Sequence, residues 1–195
     1  MLAEQFTEIF RGEHRKVRDV LLDLMQAFQG RDKARIQSLL SQAAHDTGPH
    51  FRYEEEALYP ALVGIFGEEY IEKLLGDHDQ VIRTAKKLME LAGKDPLTDD
   101  GVVRATQLIR SVLPHVSDRD GLSIMVERLP AEKVRSILDA RDHSLRAGLD
   151  LLQWADQART RKTALDVIPP SQSHLHSSTE DESVPPAPTT GHMSF

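Results

Sequence analysis

Four successive stretches of the 195-residue chain repeat apolar residues with the spacing of an amphipathic α-helix, and each holds one histidine inside its apolar stripe. Those histidines are His14, His50, His78 and His115. A low aromatic content of 5% and a charged content of 28% also favour helices over sheets. Helices of similar length joined by short links are typical of a bundle. The sequence therefore predicts an all-α fold, an antiparallel up-down four-helix bundle.

Turn and capping residues set the expected limits of these helices. The first helix is predicted over residues 4–29, before Gly30, and the third over residues 68–92. The second is predicted to start at the N-cap Asp32, and the Gly48–Pro49 pair is expected to bend or interrupt it.

Pattern and composition divide the chain into three regions. Residues 1–130 are predicted to form the bundle, with a local irregularity in its fourth helix near Pro114. Residues 131–161 are predicted to form a C-terminal helical extension, with one continuous helix over about residues 130–159. Residues 162–195 are rich in Pro, Ser, Thr and acidic residues, so this tail is predicted to be disordered.

Charge and composition limit the expected partners. A net charge of -7, without a block of Lys or Arg, argues against nucleic acid or an anionic membrane as a partner. No apolar run reaches the roughly 18 residues that a membrane span needs, so we expect a cytoplasmic protein. Because the sequence contains no cysteine, thiolate metal sites and cysteine nucleophiles are excluded, and any metal site must use His, Asp, Glu or Tyr.

The second helix places a histidine and a carboxylate together on its apolar face. On a regular helix Glu54 lies about 40° from His50, within the apolar stripe. Glu55 and Glu56 fall at about 140° and 240°, which predicts positions at the rim and towards solvent. A buried carboxylate is costly without a compensating charge, and next to an imidazole the natural compensation is a metal cation.

The other three helices each direct one histidine into the core as well. A single inward histidine is more often an ordinary core residue than a ligand. Four buried imidazoles without partners would cost on the order of 1–3 kcal/mol each, and a shared metal centre removes that cost. By contrast, His45 and His143 lie off the apolar arcs and are expected to be exposed. Tyr53 is expected at a helix interface and away from the metal.

The string HFRYEEEALYP at residues 50–60, with the three other inward histidines, resembles the hemerythrin-like, or HHE cation-binding, family. The resemblance covers about residues 6–129. It implies a four-helix bundle with a non-haem di-iron centre bridged by carboxylates and an oxygen atom. Members bind dioxygen reversibly, sense oxygen or redox state, or handle iron and nitric oxide. By this resemblance the metal ligands would be His14, His50, Glu54, His78, His115 and Asp120, with Glu54 and Asp120 as bridges.

The chain departs from the family's pattern on two helices. Oxygen carriers place two histidines four residues apart on the third helix, whereas Leu74 and Ile82 flank His78 at that spacing, which implies a more open iron. On the fourth helix, Asp120 reaches the site only through a widened turn of the π type. If that turn is regular, Asp118 is the better ligand.

Imidazole and carboxylate ligands favour iron or manganese, and zinc and copper also fit imidazole. The resemblance makes iron the expected cofactor, ahead of manganese or zinc. We expect a protein that binds or senses dioxygen, nitric oxide or redox state, or handles iron, with one of these gases or peroxide as its small ligand. A di-iron enzyme that consumes peroxide or reduces nitric oxide is the first alternative. The second is a helical signalling or interaction module without a functional metal. The C-terminal extension could then contact a protein partner.

Overall fold

The computed structural model of the protein describes the backbone of residues 1–118 and 120–160, and the side chains of residues 1–116 and 121–160. Within these residues the regular structure is entirely helical. In chain order the elements are α1 (Leu2–Gln29), α2 (Lys33–Tyr53), a π-helical segment (Glu54–Leu58), α3 (Tyr59–Phe66), α4 (Glu68–Ala92), α5 (Asp99–Asp118), α6 (Asp120–Met125), a 3-10 turn (Val126–Arg128), α7 (Ala131–Ala147) and α8 (Leu151–Gln157).

Four long helices form the bundle. α1 packs against α2 and α5, and α4 packs against the same two helices, which closes the bundle. This confirms the predicted all-α fold. The C-terminal helices α7 and α8 pack mainly on α2, so they lie against the helix that carries His50. None of the helices in the described part of the chain has both the length and the apolar character needed to cross a membrane. The predicted disorder of residues 162–195 lies outside the described residues.

Two apolar clusters fill the bundle, and the inward histidines lie between them. In α1, Phe6 and Phe10 belong to one cluster, Val17 and Leu24 belong to the other, and His14 separates the two. Burial of this apolar surface is the main force that holds the helices together. Because apolar layers lie on both sides, the polar side chains between them are removed from water.

The predicted limits of the first three helices agree closely with the structure at most positions. α1 ends before Gly30, and α4 spans the predicted residues 68–92. The Asp32 side chain caps α2 by accepting a hydrogen bond of 3.0 Å from the backbone N–H of Arg35. Such caps satisfy backbone donors that the first helical turn leaves unpaired.

The predicted interruption at Gly48–Pro49 was wrong, because α2 continues through both residues to Tyr53. An interior proline costs a helix about 3 kcal/mol through its missing N–H and its ring. Here both residues are buried, and Gly48 lies directly against the backbone of residues 149–151. Tertiary packing against this segment therefore outweighs the local preference for a break.

We expect Gly48→Ala to lower the free energy of unfolding by about 1–3 kcal/mol, the usual cost of overpacking. A Cβ at this position would lie 2.5 Å from the carbonyl carbon of Asp150 and from the carbonyl oxygen of Leu149, and backbone atoms cannot rotate away. Gly76→Ala, in the interior of α4 with open space around its Cβ position, is the matched control and should stabilise by up to about 1 kcal/mol. Urea unfolding of the metal-free chain compares them. Equal stability of both variants would contradict the packing argument.

The single helix predicted over residues 130–159 was also wrong, because it is divided into α7 and α8. Gly148 takes a left-handed conformation with φ of 63°, which ends α7. Asp150 then caps α8 by accepting hydrogen bonds of 2.9 Å from the backbone N–H groups of Leu152 and Gln153. The turn between α7 and α8 brings Trp154 into an apolar cluster with Phe51 of α2.

Candidate metal centre

The four inward histidines converge in the middle of the bundle. His14, His50, His78 and His115 are all buried. The ring centroids of His14 and His50 are 4.7 Å apart, and those of His78 and His115 are 5.2 Å apart. Rings from four helices therefore meet in one region, as the helix-face argument predicts.

Glu54 connects the histidines into two groups of potential metal ligands. One group is His14, His50 and Glu54, and the other is Glu54, His78 and His115. Within each group the potential ligand atoms lie within 4.8 Å of one another. The two Nε2 atoms of His14 and His50 are 3.0 Å apart. The Oε2 atom of Glu54 lies 3.1 Å from His78 Nε2 and 3.5 Å from His50 Nε2.

These residues fit a bound cation because their polar atoms are otherwise poorly satisfied. Both carboxylate oxygens of Glu54 and both ring nitrogens of His115 are buried and make no hydrogen bond with the described residues. The short contact between Glu54 and His78 lacks the alignment of a hydrogen bond. Buried polar groups are nearly always paired, and an exception needs a compensating partner. A cation between carboxylate and imidazole donors would supply it.

The electrostatics of the site keep two of its donors, Glu54 and His115, in metal-binding forms. Burial raises the pKa of Glu54, but the charges of His50 and His78 outweigh it and hold that pKa well below the usual value. Burial, helped by the neighbouring His78, lowers the pKa of His115 to about 3. Glu54 is therefore ionised and His115 neutral near pH 7. These are the states in which a carboxylate and an imidazole bind metal. Burial lowers the pKa of His50 and His78, but the neighbouring carboxylates outweigh it and raise both pKa values, so a metal would displace a proton from each ring.

A π-helical segment at the end of α2 places two consecutive glutamates in the interior. Residues 54–58 form this segment, with the wider turn that i→i+5 hydrogen bonding produces. The rim position predicted for Glu55 was wrong, because the residue is only 2% exposed. The prediction assumed a regular rotation of about 100° per residue. Glu56 faces outward as expected and pairs with Arg52.

Glu55 holds the outer nitrogen of His78. Its Oε1 atom lies 2.8 Å from His78 Nδ1 and accepts hydrogen bonds from Arg159, the shortest being 2.7 Å. Arg159 also donates to Asp79 at 2.7 Å. A carboxylate behind a ligating histidine fixes the orientation and tautomer of its ring. The C-terminal extension thus supports one half of the candidate centre.

Glu13 holds the outer nitrogen of His50 in the same way. Its Oε2 atom lies 2.9 Å from His50 Nδ1 and accepts a hydrogen bond of 2.9 Å from the Tyr53 hydroxyl. Arg141 of α7 donates to the other oxygen at 2.7 Å. Burial and Glu13 raise the pKa of Tyr53 well above its usual value, so its phenol stays protonated and donates. Tyr53 lies at a helix interface, as expected, beside the outer nitrogen of His50.

Sequence reasoning did not identify Glu13, Glu55, Arg141 or Arg159 as site residues. Glu13 precedes His14, but an acidic residue beside an inward histidine is too common to be a signal. Arg159 is separated from Glu55 by 104 positions. The one available signal was the amphipathic pattern over residues 130–159, because a helix with an apolar face must bury that face against another element.

We expect Glu13→Gln to weaken metal binding by about 10- to 100-fold, the usual effect of removing a carboxylate behind a ligating histidine. Glutamine keeps the shape of the side chain but loses the charge that His50 and Arg141 face. Titration of the metal-free chain against a competing chelator measures the affinity. Glu8→Gln, on the exposed face of α1, is the control and should leave it unchanged. Equal affinities of both variants would contradict the assigned role.

The remaining predicted positions are placed as follows. His45 and His143 are exposed, as predicted. α5 ends at Asp118 and α6 begins at Asp120, but the side chains of both aspartates lie outside the described residues. The choice between Asp118 and Asp120 as the fourth-helix carboxylate therefore stays a prediction.

Comparison with known proteins places the chain in a family. A protein named DNA nickase from Nostoc sp. (strain PCC 7120 / SAG 25.82 / UTEX 2576) is 26% identical over 113 residues, which cover 58% of this chain and 30% of that protein. The chain thus spans less than a third of this relative. No solved structure gives a significant match. The model of the hemerythrin HHE cation binding domain matches residues 5–123, more than half of the sequence and the part that contains all four inward histidines. The chain therefore belongs to the hemerythrin HHE cation-binding family.

Proposed function

We propose that this protein is a non-haem iron protein that holds two iron ions sharing Glu54 and binds a diatomic gas, dioxygen or nitric oxide. One observation carries the proposal. Glu54 belongs to two groups of buried potential ligands, one with His14 and His50 and one with His78 and His115. A carboxylate has two oxygens, so it can bind one metal in each group. Asp118 or Asp120 would add the second carboxylate.

The donor set supports iron as the metal. Imidazole and carboxylate donors suit iron and manganese, and zinc also accepts them. Ferrous iron, when bound, supplies the electrons that reduce a gas molecule at the site. The residues of the chain hold the metal, orient the imidazoles through Glu13 and Glu55, and exclude water.

Apolar side chains around the histidines support binding of a small apolar gas. Phe51 stacks on His78 with ring centroids 3.7 Å apart and planes 6° from parallel. An apolar cavity of about 60 Å³, lined in part by Phe51, reaches His115. Its other wall residues include Val17, Leu24, Leu88 and Val112. Apolar cavities of this kind stay dry and accept small apolar molecules. Dioxygen or nitric oxide could reach the centre through this cavity.

A second candidate function, peroxide consumption or nitric oxide reduction, is favoured by a groove beside the same histidine whose lining is half polar and half apolar. This groove of about 300 Å³ is lined by Lys73, Asp77, Gln80 and His115. Side chains that donate and accept hydrogen bonds suit peroxide better than dioxygen. Steady-state turnover of peroxide or nitric oxide, against reversible gas binding, separates the two functions.

Metal analysis and an optical spectrum of the reconstituted full chain test the proposal. The metal-free chain is loaded anaerobically with ferrous iron, freed of excess iron and then exposed to air. We expect two iron ions per chain and oxo-bridge absorption in the near ultraviolet. Competition among iron, manganese and zinc during loading decides the preferred metal. A chain without stoichiometric metal would contradict the proposal and favour a helical interaction module with a protein partner.

DNA strand cleavage, named for the Nostoc relative, is not part of this proposal. The chain matches only 30% of that protein, and its net charge of -7 opposes binding to the phosphate backbone.

A further inference from the structure

The phenol of Tyr59 lies directly beside the inner nitrogen of His78. Its hydroxyl oxygen is 2.9 Å from His78 Nε2, and the residue is fully buried. The same nitrogen lies 3.1 Å from Oε2 of Glu54. Tyr59 therefore reaches the atom through which His78 faces the rest of its ligand group.

The position of the His78 ring proton decides which nitrogen of the ring can bind a metal. The Nδ1 atom lies 2.8 Å from Glu55, a carboxylate that Arg159 keeps ionised, so we assign one ring proton to Nδ1. When a metal binds, Nε2 gives up its own proton and faces the metal with its lone pair, while Nδ1 keeps its proton towards Glu55. A metal ion bound at Nε2 takes that lone pair. The Tyr59 oxygen, 2.9 Å from Nε2, then lies next to the metal.

The spacing of Tyr59 and His78 matches that of two ligands on one metal. Nitrogen and oxygen donors bind at about 2.0–2.2 Å, so two donors at right angles lie about 3 Å apart. The Nε2 atoms of His14 and His50 are separated by 3.0 Å. The distance from Tyr59 Oη to His78 Nε2, 2.9 Å, falls in the same range.

Tyr53 provides an internal contrast. It is also fully buried and lies close to a histidine of the centre. Its hydroxyl, however, is 3.2 Å from the outer nitrogen of His50, Nδ1, and donates to Glu13. Tyr53 therefore lies behind the ligating atoms, while Tyr59 lies among them.

We propose that Tyr59 is a further ligand of the metal held by Glu54, His78 and His115, and that it binds through its phenolate oxygen. This rests on the proposed function. On binding, the O–H bond of the phenol breaks, an oxygen–metal bond forms and the proton leaves to solvent, with no change in oxidation state. Tyrosinate is an established protein ligand of ferric iron. It would add a donor where α4 has only His78, since Leu74 and Ile82, one turn away, are apolar.

The test is the visible spectrum of the iron-loaded full chain after oxidation by air, because a phenolate on ferric iron gives a charge-transfer band that imidazole and carboxylate do not. We expect this band in the wild-type chain and its loss in Tyr59→Phe, which keeps the ring. Tyr53→Phe is the matched control and should keep the band. The band is measured per bound iron, so a change in iron content does not imitate its loss.

A resonance Raman measurement on the wild-type chain needs no variant. With ring-deuterated tyrosine, the vibrations enhanced within the band should shift, as expected for a bound phenolate. A band of equal strength in Tyr59→Phe, or its absence from a wild-type chain that holds iron, would overturn the assignment of Tyr59 while the iron proposal stands. A chain that binds no metal would overturn both.

Discussion

Glu54→Gln is expected to prevent stable binding at both metal positions, the largest effect on metal content of any single substitution. Glutamine has nearly the same volume, but its neutral amide is a much poorer metal ligand than a carboxylate. Glu54 belongs to both ligand groups, whereas each inward histidine belongs to one. Substitution of one histidine should therefore reduce binding at one position, and loss of the shared carboxylate should reduce both. The His50→Ala, Glu54→Ala double variant should abolish iron loading.

Iron per chain and metal-dependent thermal stability measure this effect. A ligand that binds only the folded state stabilises it by about 2.7 kcal/mol at a concentration 100 times its dissociation constant. The wild-type chain should therefore unfold at a higher temperature when iron or zinc is added, and Glu54→Gln should show no such rise. Glu56→Gln is the matched control, because Glu56 lies in the same π-helical segment with its side chain 37% exposed. Undiminished iron in Glu54→Gln would refute the shared-ligand assignment.

Arg159→Met is expected to give the largest loss of stability, about 3–5 kcal/mol, the usual cost of leaving one partner of a buried ion pair alone. The Arg159 side chain is 8% exposed and that of Glu55 is 3% exposed. Methionine retains the apolar stem but, among the described residues, leaves the Glu55 carboxylate with only His78 as its partner. We expect metal affinity to fall as well, since the His78 ring is then held less firmly.

Chemical denaturation of the metal-free chain measures the stability, and two further variants make the result specific. Arg52→Met breaks the exposed pair with Glu56 and should cost less than about 1 kcal/mol. Glu55→Gln combined with Arg159→Met should recover part of the loss, because it removes the unpaired charge. Equal costs for the Arg52 and Arg159 variants would show that the C-terminal pair does not support the centre.

The pH dependence of the Arg159 deficit has a definite sign. Burial raises the pKa of Glu55, but the bonds from His78 and Arg159 outweigh it and lower the pKa below its ordinary value of 4.5. A lowered carboxylate pKa contributes stability above the unfolded-state pKa, and this contribution is lost as the pH falls through the folded-state value. The difference between wild type and Arg159→Met should therefore be full near pH 7 and shrink below about pH 4.5.

The sequence by itself determined the class of the fold and the inner part of the candidate site. Helical periodicity places His14, His50, His78 and His115 on apolar faces, and rotation along one helix separates Glu54 from Glu56. These properties depend on residues within a few turns of one another, so local spacing is sufficient to predict them. The two wrong predictions of helix limits, at Gly48 and at Gly148, have the same origin. The spacing of apolar residues does not show that Gly48 packs against residues 149–151, and it does not show that one helix ends at Gly148 and another begins after it.

Only the tertiary structure decided which side chains contact the ring nitrogens of those histidines. Glu13, Arg141 and Arg159 reach their partners from segments that are distant in sequence. Glu55 of the π-helical segment is buried because His78 and Arg159 enclose it. Tyr59 meets His78 only when α3 packs on α4. Such contacts depend on how helices pack and on one local change in hydrogen bonding. Neither feature produces a periodic pattern in the sequence. The positions of the histidines could therefore be predicted from local spacing, whereas their partners are known only from how the helices pack.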